Sequence, residues 1–267
     1  MIKLLVSDLD GTLLRKDGSM SEIDAAELRR VAAMGVKVAF ATARIKESFV
    51  YVMERLDFEP YLICVNGSQV TAPGVDKPLI DRQLPKPEAL ALLRELKARG
   101  VYCHVYTVEG EVVTPVKAYD RLTSCPRVPV PDLADFLGST GRGLRKITLR
   151  LDPATVQETR EWLAREWGGL MDVMVTGLTS AEVFPKGSAK AEGLQKISEL
   201  SGIGFDEMMG IGDAPNDLDI LTKVKWPVAM GNASDDVKQI ACHITGTVDE
   251  CGVAQALKKF LPAGAKN

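Results

Sequence analysis

The stretch IKLLVSDLDGTLL, residues 2–14, decides how this chain is read. Residues 3–7 form a short apolar run of the kind that fills an interior strand of a parallel sheet. The run leads directly into Asp8 and Asp10, with Gly11 and Thr12 behind them. A buried carboxylate is costly unless a metal or a hydrogen-bond network compensates it. The rest of the chain must supply that compensation.

Working outward, VKVAFATAR from Val36 and YLICVNG from Tyr61 read as two more strands. A helix between the first two opens at Ser21, with Asp24 in a capping-box arrangement, and stops at Gly35. IKESFVYVMERL, residues 45–56, reads as the next helix. This β-α-β-α-β alternation implies a parallel sheet covered by helices. It breaks after residue 67. SQVTAP and KPLIDRQL look like a short hairpin, followed by a helix over 88–99 and the strands VYCHVYTV and EVVTPV. Residues 115–143 read as irregular. KITLRL, the helix ATVQETREWLAREW, and the strands MDVMVT and SAEVFP follow. From Ser188 the alternation returns and runs to a closing helix, VAQALKKFL. The expected fold is therefore α/β, a doubly wound parallel sheet of Rossmann-like type. Its core comprises residues 1–83 and 186–267, and an α+β module, residues 84–185, is inserted into it.

The 267 residues are 46% hydrophobic and 26% charged, an ordinary globular balance, and the net charge is -3. There is no Lys/Arg block, so no nucleic-acid footprint. No apolar run is long enough for a membrane span, and the N-terminus has no signal-peptide pattern. The five cysteines form no C-x-x-C pair, which suits reduced thiols and a cytoplasmic protein. Nothing in the sequence sets an oligomeric state.

In an open parallel sheet, ligands bind at the carboxyl ends of the strands. The polar residues expected there are Asp8, Asp10, Thr42, Arg44, Asn66, Asp213, Asn216 and Asp217, with Lys186 or Lys190 from the segment ahead of the fourth core strand. Asp8, Asp10 and Asp213 together suit a hard cation, most simply Mg2+. A lysine and a threonine hydroxyl suit phosphate oxygens. Such a set reads as a phosphoryl-transfer site.

DLDGT at 8–12, ATAR at 41–44, PKGSAK ending in Lys190, and GDAPND at 212–217 resemble, in order and spacing, the haloacid dehalogenase-like superfamily. Within it the chain is similar to the Cof-type phosphatases of subclass IIB. AMGNA at 229–233 and GVA at 252–254 extend the likeness over nearly the whole chain. The resemblance implies an Mg2+-dependent phosphatase of a small phosphate ester, with sugar phosphates the first expectation and flavin mononucleotide or pyridoxal phosphate also in view. It implies Asp8 as nucleophile, forming an aspartyl phosphate, and Asp10 as general acid and then base. The metal would be held by the Asp8 and Asp213 carboxylates and the Asp10 main-chain carbonyl. Thr42, Lys190, Asn216 and the main chain at Leu9 and Ala43 would hold the phosphoryl group, and Asp217 would orient Lys190 or outer-shell water. The inserted module would close over the site and choose the substrate. Ala43 and Ala191 stand where the family commonly has glycine; neither change removes a reacting group.

Simpler readings stand beside these. Asp213 could cap the helix after it, Asn66-Gly67 could be a plain turn, and Lys186 competes with Lys190. Trp162 and Trp167 read as packing residues. His104 and His243 lack any Ser/His/Asp setting, although His104 could touch substrate. A dehalogenase would need neither Asp10 nor Asp213. A mannosyl-3-phosphoglycerate or sucrose-phosphate type of phosphatase, a phosphomutase, and a phosphometabolite-binding regulator without turnover remain as alternatives.

Overall fold

The computed structural model describes residues 1–115, 125–175 and 179–262. They divide into two compact units, one of Met1–Arg44, Phe49–Ile80 and Ala189–Asn267, the other of Ile45–Ser48 and Asp81–Ser188.

The first unit begins with β1 (Leu4–Ser7), α1 (Glu22–Ala33), β2 (Lys37–Ala41), α2 (Val50–Met53), β3 (Tyr61–Cys64), β4 (Gln69–Thr71) and β5 (Ile80–Asp81). All four residues of β1 are buried. Each buried Leu or Val contributes about 1.5–3 kcal/mol, so Leu4, Leu5 and Val6 together can offset a buried carboxylate at the strand's end. α1 starts where expected: the Asp24 N–H donates to Ser21 Oγ at 2.9 Å, and Ser21 Oγ–H donates back to the Asp24 carboxylate at 2.7 Å. Gly35 follows its end with φ of 88°. The helix expected over 45–56 is much shorter. Residues 46–49 form a tight 3-10 turn, and Phe49, fully buried, takes the non-helical φ of −139° before α2. Burial of the Phe49 ring, not helix propensity, sets the backbone there.

The second unit holds α3 (Lys86–Ala98), β6 (Tyr102–Thr107), β7 (Val112–Pro115), β8 (Arg127–Val130), α4 (Leu133–Ser139), β9 (Leu144–Arg150), α5 (Val156–Trp167), β10 (Met171–Val175) and β11 (Ser180–Pro185). Its strands pair in the order β10-β11-β9-β6-β7-β8. Leu92, Leu96, Val105, Ile147, Leu149, Leu163 and Val183 belong to its own core. Trp162 and Trp167 are buried in that core, as their spacing suggested. Part of the stretch read as irregular is regular. Pro129 does not break β8, which sits at the sheet edge, where a missing N–H costs no ladder bond. Asp132 caps α4, accepting from the Asp135 N–H at 2.8 Å. Residues 116–124 of that stretch lie outside the described residues.

The chain returns to the first unit with α6 (Lys190–Ser201), β12 (Met208–Gly212), α7 (Leu218–Leu221), β13 (Trp226–Ala229), α8 (Asp235–Ile240), β14 (His243–Ile244) and α9 (Gly252–Phe260). The sheet order is β14-β13-β12-β1-β2-β3-β4-β5. From β14 to β3 every pairing is parallel; β4 runs antiparallel to β3. Strands that follow β1 in sequence extend to one side and those from β12 onward to the other. The strand order therefore reverses between β1 and β12, the place where open α/β sheets bind ligands. Leu4, Val6, Ala39, Ile63, Leu194, Ile197 and Met208 belong to the core that holds this arrangement.

Candidate active site

Asp8 follows β1 and Asp213 follows β12, so the strand reversal sets them side by side. The Asp8 N–H donates to the Ile211 carbonyl at 3.0 Å, continuing the ladder one residue past the strand. Carboxylate oxygens of Asp8, Asp213 and Asp217 lie within 4.8 Å of one another, the one such acidic group found among the described residues. Asp10 is not in it. Two residues further on, its carboxylate is half exposed and paired with Arg44, so the carboxylates that converge are Asp8, Asp213 and Asp217 rather than Asp8, Asp10 and Asp213.

Lys190 is the first residue of α6 and only 1% exposed. A cation at a helix N-terminus opposes the macrodipole. Here two carboxylates offset that: Lys190 Nζ donates to Asp8 Oδ1 and to Asp217 Oδ1, each at 2.7 Å. Burial works against the Lys190 charge, yet Asp217 and Asp8 outweigh it and its pKa is raised. Lys186 is elsewhere, in the second unit, where it pairs with Asp172 at 3.0 Å and donates to the Gly168 carbonyl.

Asp217 has a second task. Its Oδ2 accepts from the N–H groups of Asp213 and Ala214, both at 3.1 Å. The capping role considered for Asp213 thus falls to Asp217, which leaves the Asp213 side chain to the cluster. Thr12 Oγ1–H donates to Asp213 Oδ1 at 2.8 Å. Gly11 has φ of 85°, and a Cβ there would collide with Asp213 Oδ2. The glycine of DLDGT therefore serves a close approach as well as a turn.

Thr42 is buried at the end of β2. Its N–H donates to the Ile63 carbonyl at 2.8 Å, and its Oγ1 accepts from the Arg44 N–H at 3.1 Å. Leu9 is fully buried, and its carbonyl accepts from Thr12, Leu13 and Leu14. Ala43 and Asn216 are half-buried, Ala43 between Thr42 and Arg44 and Asn216 next to Asp217. Val65, Asn66 and Gly67 are three consecutive residues with positive φ. This is more than a plain turn: the Val65 and Asn66 N–H groups donate to the Arg44 and Thr42 carbonyls. His104 sits in the second unit, edge-on to Tyr106 at 5.3 Å.

Two residues that the sequence did not single out also contribute. Asp219 accepts from the Ala191 N–H at 2.9 Å and so anchors the first turn of α6 beside Lys190. Its signal was an acidic residue two places beyond GDAPND. Asn232, inside AMGNA, donates to the Gly11 carbonyl and accepts from the Val248 N–H, tying two loops together.

The electrostatics of the cluster call for added positive charge. Burial, and then the Asp217 charge, push the Asp8 carboxyl well above its usual range despite Lys190. Burial is also the main cause that raises Asp213, to about 6, against the pull of the Thr12 hydroxyl. An all-oxygen donor set with more carboxylates than cations fits a hard divalent ion.

Comparison with known proteins agrees with this chemistry. The model of the haloacid dehalogenase-like hydrolase family matches residues 5–257. The chain is 29% identical, over 96% of its length and 97% of the relative's, to the 5-amino-6-(5-phospho-D-ribitylamino)uracil phosphatase YitU of Bacillus subtilis (strain 168). It is 28% identical, over 98% and 96%, to the HMP-PP phosphatase of Yersinia pestis (strain Pestoides F). Among solved structures, a haloacid dehalogenase-like hydrolase from Bacteroides thetaiotaomicron superposes with a TM-score of 0.88 at 26% identity, covering 97% of this chain and 99% of that one.

Proposed function

The chain belongs to the haloacid dehalogenase-like hydrolase family, and from that premise we propose that it is an Mg2+-dependent phosphatase of a small phosphorylated metabolite. The observation that carries the reading is Lys190, buried between Asp8 and Asp217 with Asp213 beside them, at the strand-order reversal of the sheet. The Asp8 and Asp213 carboxylates and the Asp10 main-chain carbonyl would hold the metal. When bound, the cation neutralises the carboxylate cluster and the charge of the phosphoryl oxygens.

Asp8 supplies the attacking oxygen. Its bond to phosphorus forms as the bond to the leaving oxygen breaks, giving an aspartyl phosphate. Asp10 gives the leaving oxygen a proton. It then takes a proton from the water that attacks phosphorus, releasing inorganic phosphate and restoring Asp8. Lys190, Thr42, Asn216 and the main chain at Leu9 and Ala43 hold the phosphoryl group, and Asp217 keeps Lys190 in place. The inserted module, residues 84–185, which falls within the second compact unit, is the proposed source of substrate choice.

Sugar phosphates are the proposed substrate class. The phosphorylated ribitylaminouracil and HMP-PP, from the names of the two relatives, complete a first panel. The test is phosphate release across that panel with Mg2+ and with EDTA. Metal-dependent release is expected from a few compounds. Metal-independent release, or ester binding with no release, would contradict the proposal.

A further inference from the structure

Asp10 is close to Asp8 in sequence but has a different partner. Arg44 Nε donates to Asp10 Oδ2 at 2.8 Å, and Arg44 Nη2 donates to Asp10 Oδ1 at 2.6 Å. One guanidinium therefore grips both oxygens, the fork-to-fork pairing that fixes orientation as well as charge. Arg44 is itself held. Its N–H donates to Thr42 Oγ1, and its carbonyl accepts from the Val65 N–H at 2.9 Å. The Asp10 side of the pair is braced as well, since residue 10 bridges to Leu14 and Leu14 to Met20.

An exposed ion pair commonly contributes little to stability, about 0–1 kcal/mol. Here the main chain of Arg44 is fixed by Thr42 and Val65 at the end of β2, so the guanidinium reaches both Asp10 oxygens from a held position. The Asp10 carboxylate is 54% exposed, and an exposed short side chain without such a grip samples several rotamers.

Resting on the reading of Asp10 as proton donor and acceptor, we propose that Arg44 is a positioning residue for that group. It holds the Asp10 carboxylate in one orientation and apart from the Asp8, Asp213 and Asp217 cluster. The attacking carboxylate and the proton-exchanging carboxylate, only two residues apart, are thereby given separate partners: Lys190 for Asp8 and Arg44 for Asp10.

The test uses leaving groups. p-Nitrophenyl phosphate departs without a proton, whereas an alkyl phosphate needs one. kcat/KM covers the steps up to departure of the leaving group. We expect Arg44→Gln to lower kcat/KM for the alkyl ester by about 100-fold, in the range of lost acid catalysis, and for the aryl ester by less than about threefold. Arg44→Lys, which cannot grip both oxygens, should give an intermediate loss on the alkyl ester alone. If Arg44→Gln does not fold, Arg44→Lys carries the comparison. Equal losses on both esters would mean that Arg44 binds the phosphoryl group or supports the fold, and no loss on either would mean an ordinary surface pair; both overturn the proposal. Asp10→Asn separates the two levels. If it shows the leaving-group dependence and the Arg44 variants do not, only the positioning role falls. If Asp10→Asn lacks it too, the proton-donor reading falls and takes the proposal with it.

Discussion

Asp213 gives the most direct residue-scale prediction. Its carboxyl is pushed from an ordinary 3.8 up to about 6, chiefly by burial. Between those two values the folded protein keeps a proton that the unfolded chain has already released. The metal-free protein therefore loses stability as pH rises from 3.8 to about 6, by about 3 kcal/mol for this group alone. Asp213→Asn keeps an acceptor for Thr12 and removes the ionisation. Urea titrations in EDTA should show the variant more stable than the parent at pH 7, with the gap closing toward pH 4. A variant less stable than the parent at pH 7 would mean that burial of Asp213 carries no such cost. Asp8 and Asp213 could be picked out from DLDGT and GDAPND, because those motifs place acidic residues just past apolar runs. The pairing of Asp10 with Arg44 could not, since no periodicity links positions so far apart in the chain.

At the scale of elements, the turn of Val65, Asn66 and Gly67 joins two parts of the site. Its N–H groups hold the Thr42–Arg44 loop, and Gly67 lies against the Ala189 carbonyl at the start of α6. A Cβ at Gly67 would strike that carbonyl and would also meet a φ of 95°. Gly67→Ala should cost about 1–3 kcal/mol and shift the first turn of α6, carrying Lys190 with it. The expected result is a folded protein with a lowered melting temperature and at least tenfold lower kcat; unchanged activity would show that Lys190 does not depend on this contact. The neighbouring elements show what local signals can and cannot reveal. α1 was readable because Ser21, Asp24 and Gly35 are capping signals that act within a few residues. The truncation of α2 was not, because it follows from the tertiary burial of Phe49. β8 was hidden by Pro129, which an edge position tolerates.

At the scale of the molecule, the β-α alternation was enough to read the parallel sheet, because parallel strands need crossover helices. The order of strands, and with it the meeting of Asp8, Lys190, Asp213 and Asp217, depends on packing between segments that no short window contains. The sequence placed the inserted module at 84–185, and the second compact unit comprises Ile45–Ser48 with Asp81–Ser188. Each unit has its own apolar core, and a unit with its own core can fold alone. Residues 81–188 expressed by themselves should give a cooperative thermal transition. A broad, non-cooperative melt would show that this unit needs the rest of the chain.

The central claim is that Asp8 takes up the phosphoryl group while Asp10 handles the proton. The most direct measurement is acid quench and peptide mapping by mass spectrometry after mixing Mg2+ and p-nitrophenyl phosphate with the parent protein and with Asp10→Asn. An aryl leaving group needs no proton, but the attacking water does need a base. The variant should therefore accumulate phosphate on Asp8, with nitrophenol released in a burst of about one equivalent, while the parent turns over. Steady turnover by Asp10→Asn at the parent rate, or phosphate carried on any residue other than Asp8, would contradict the account.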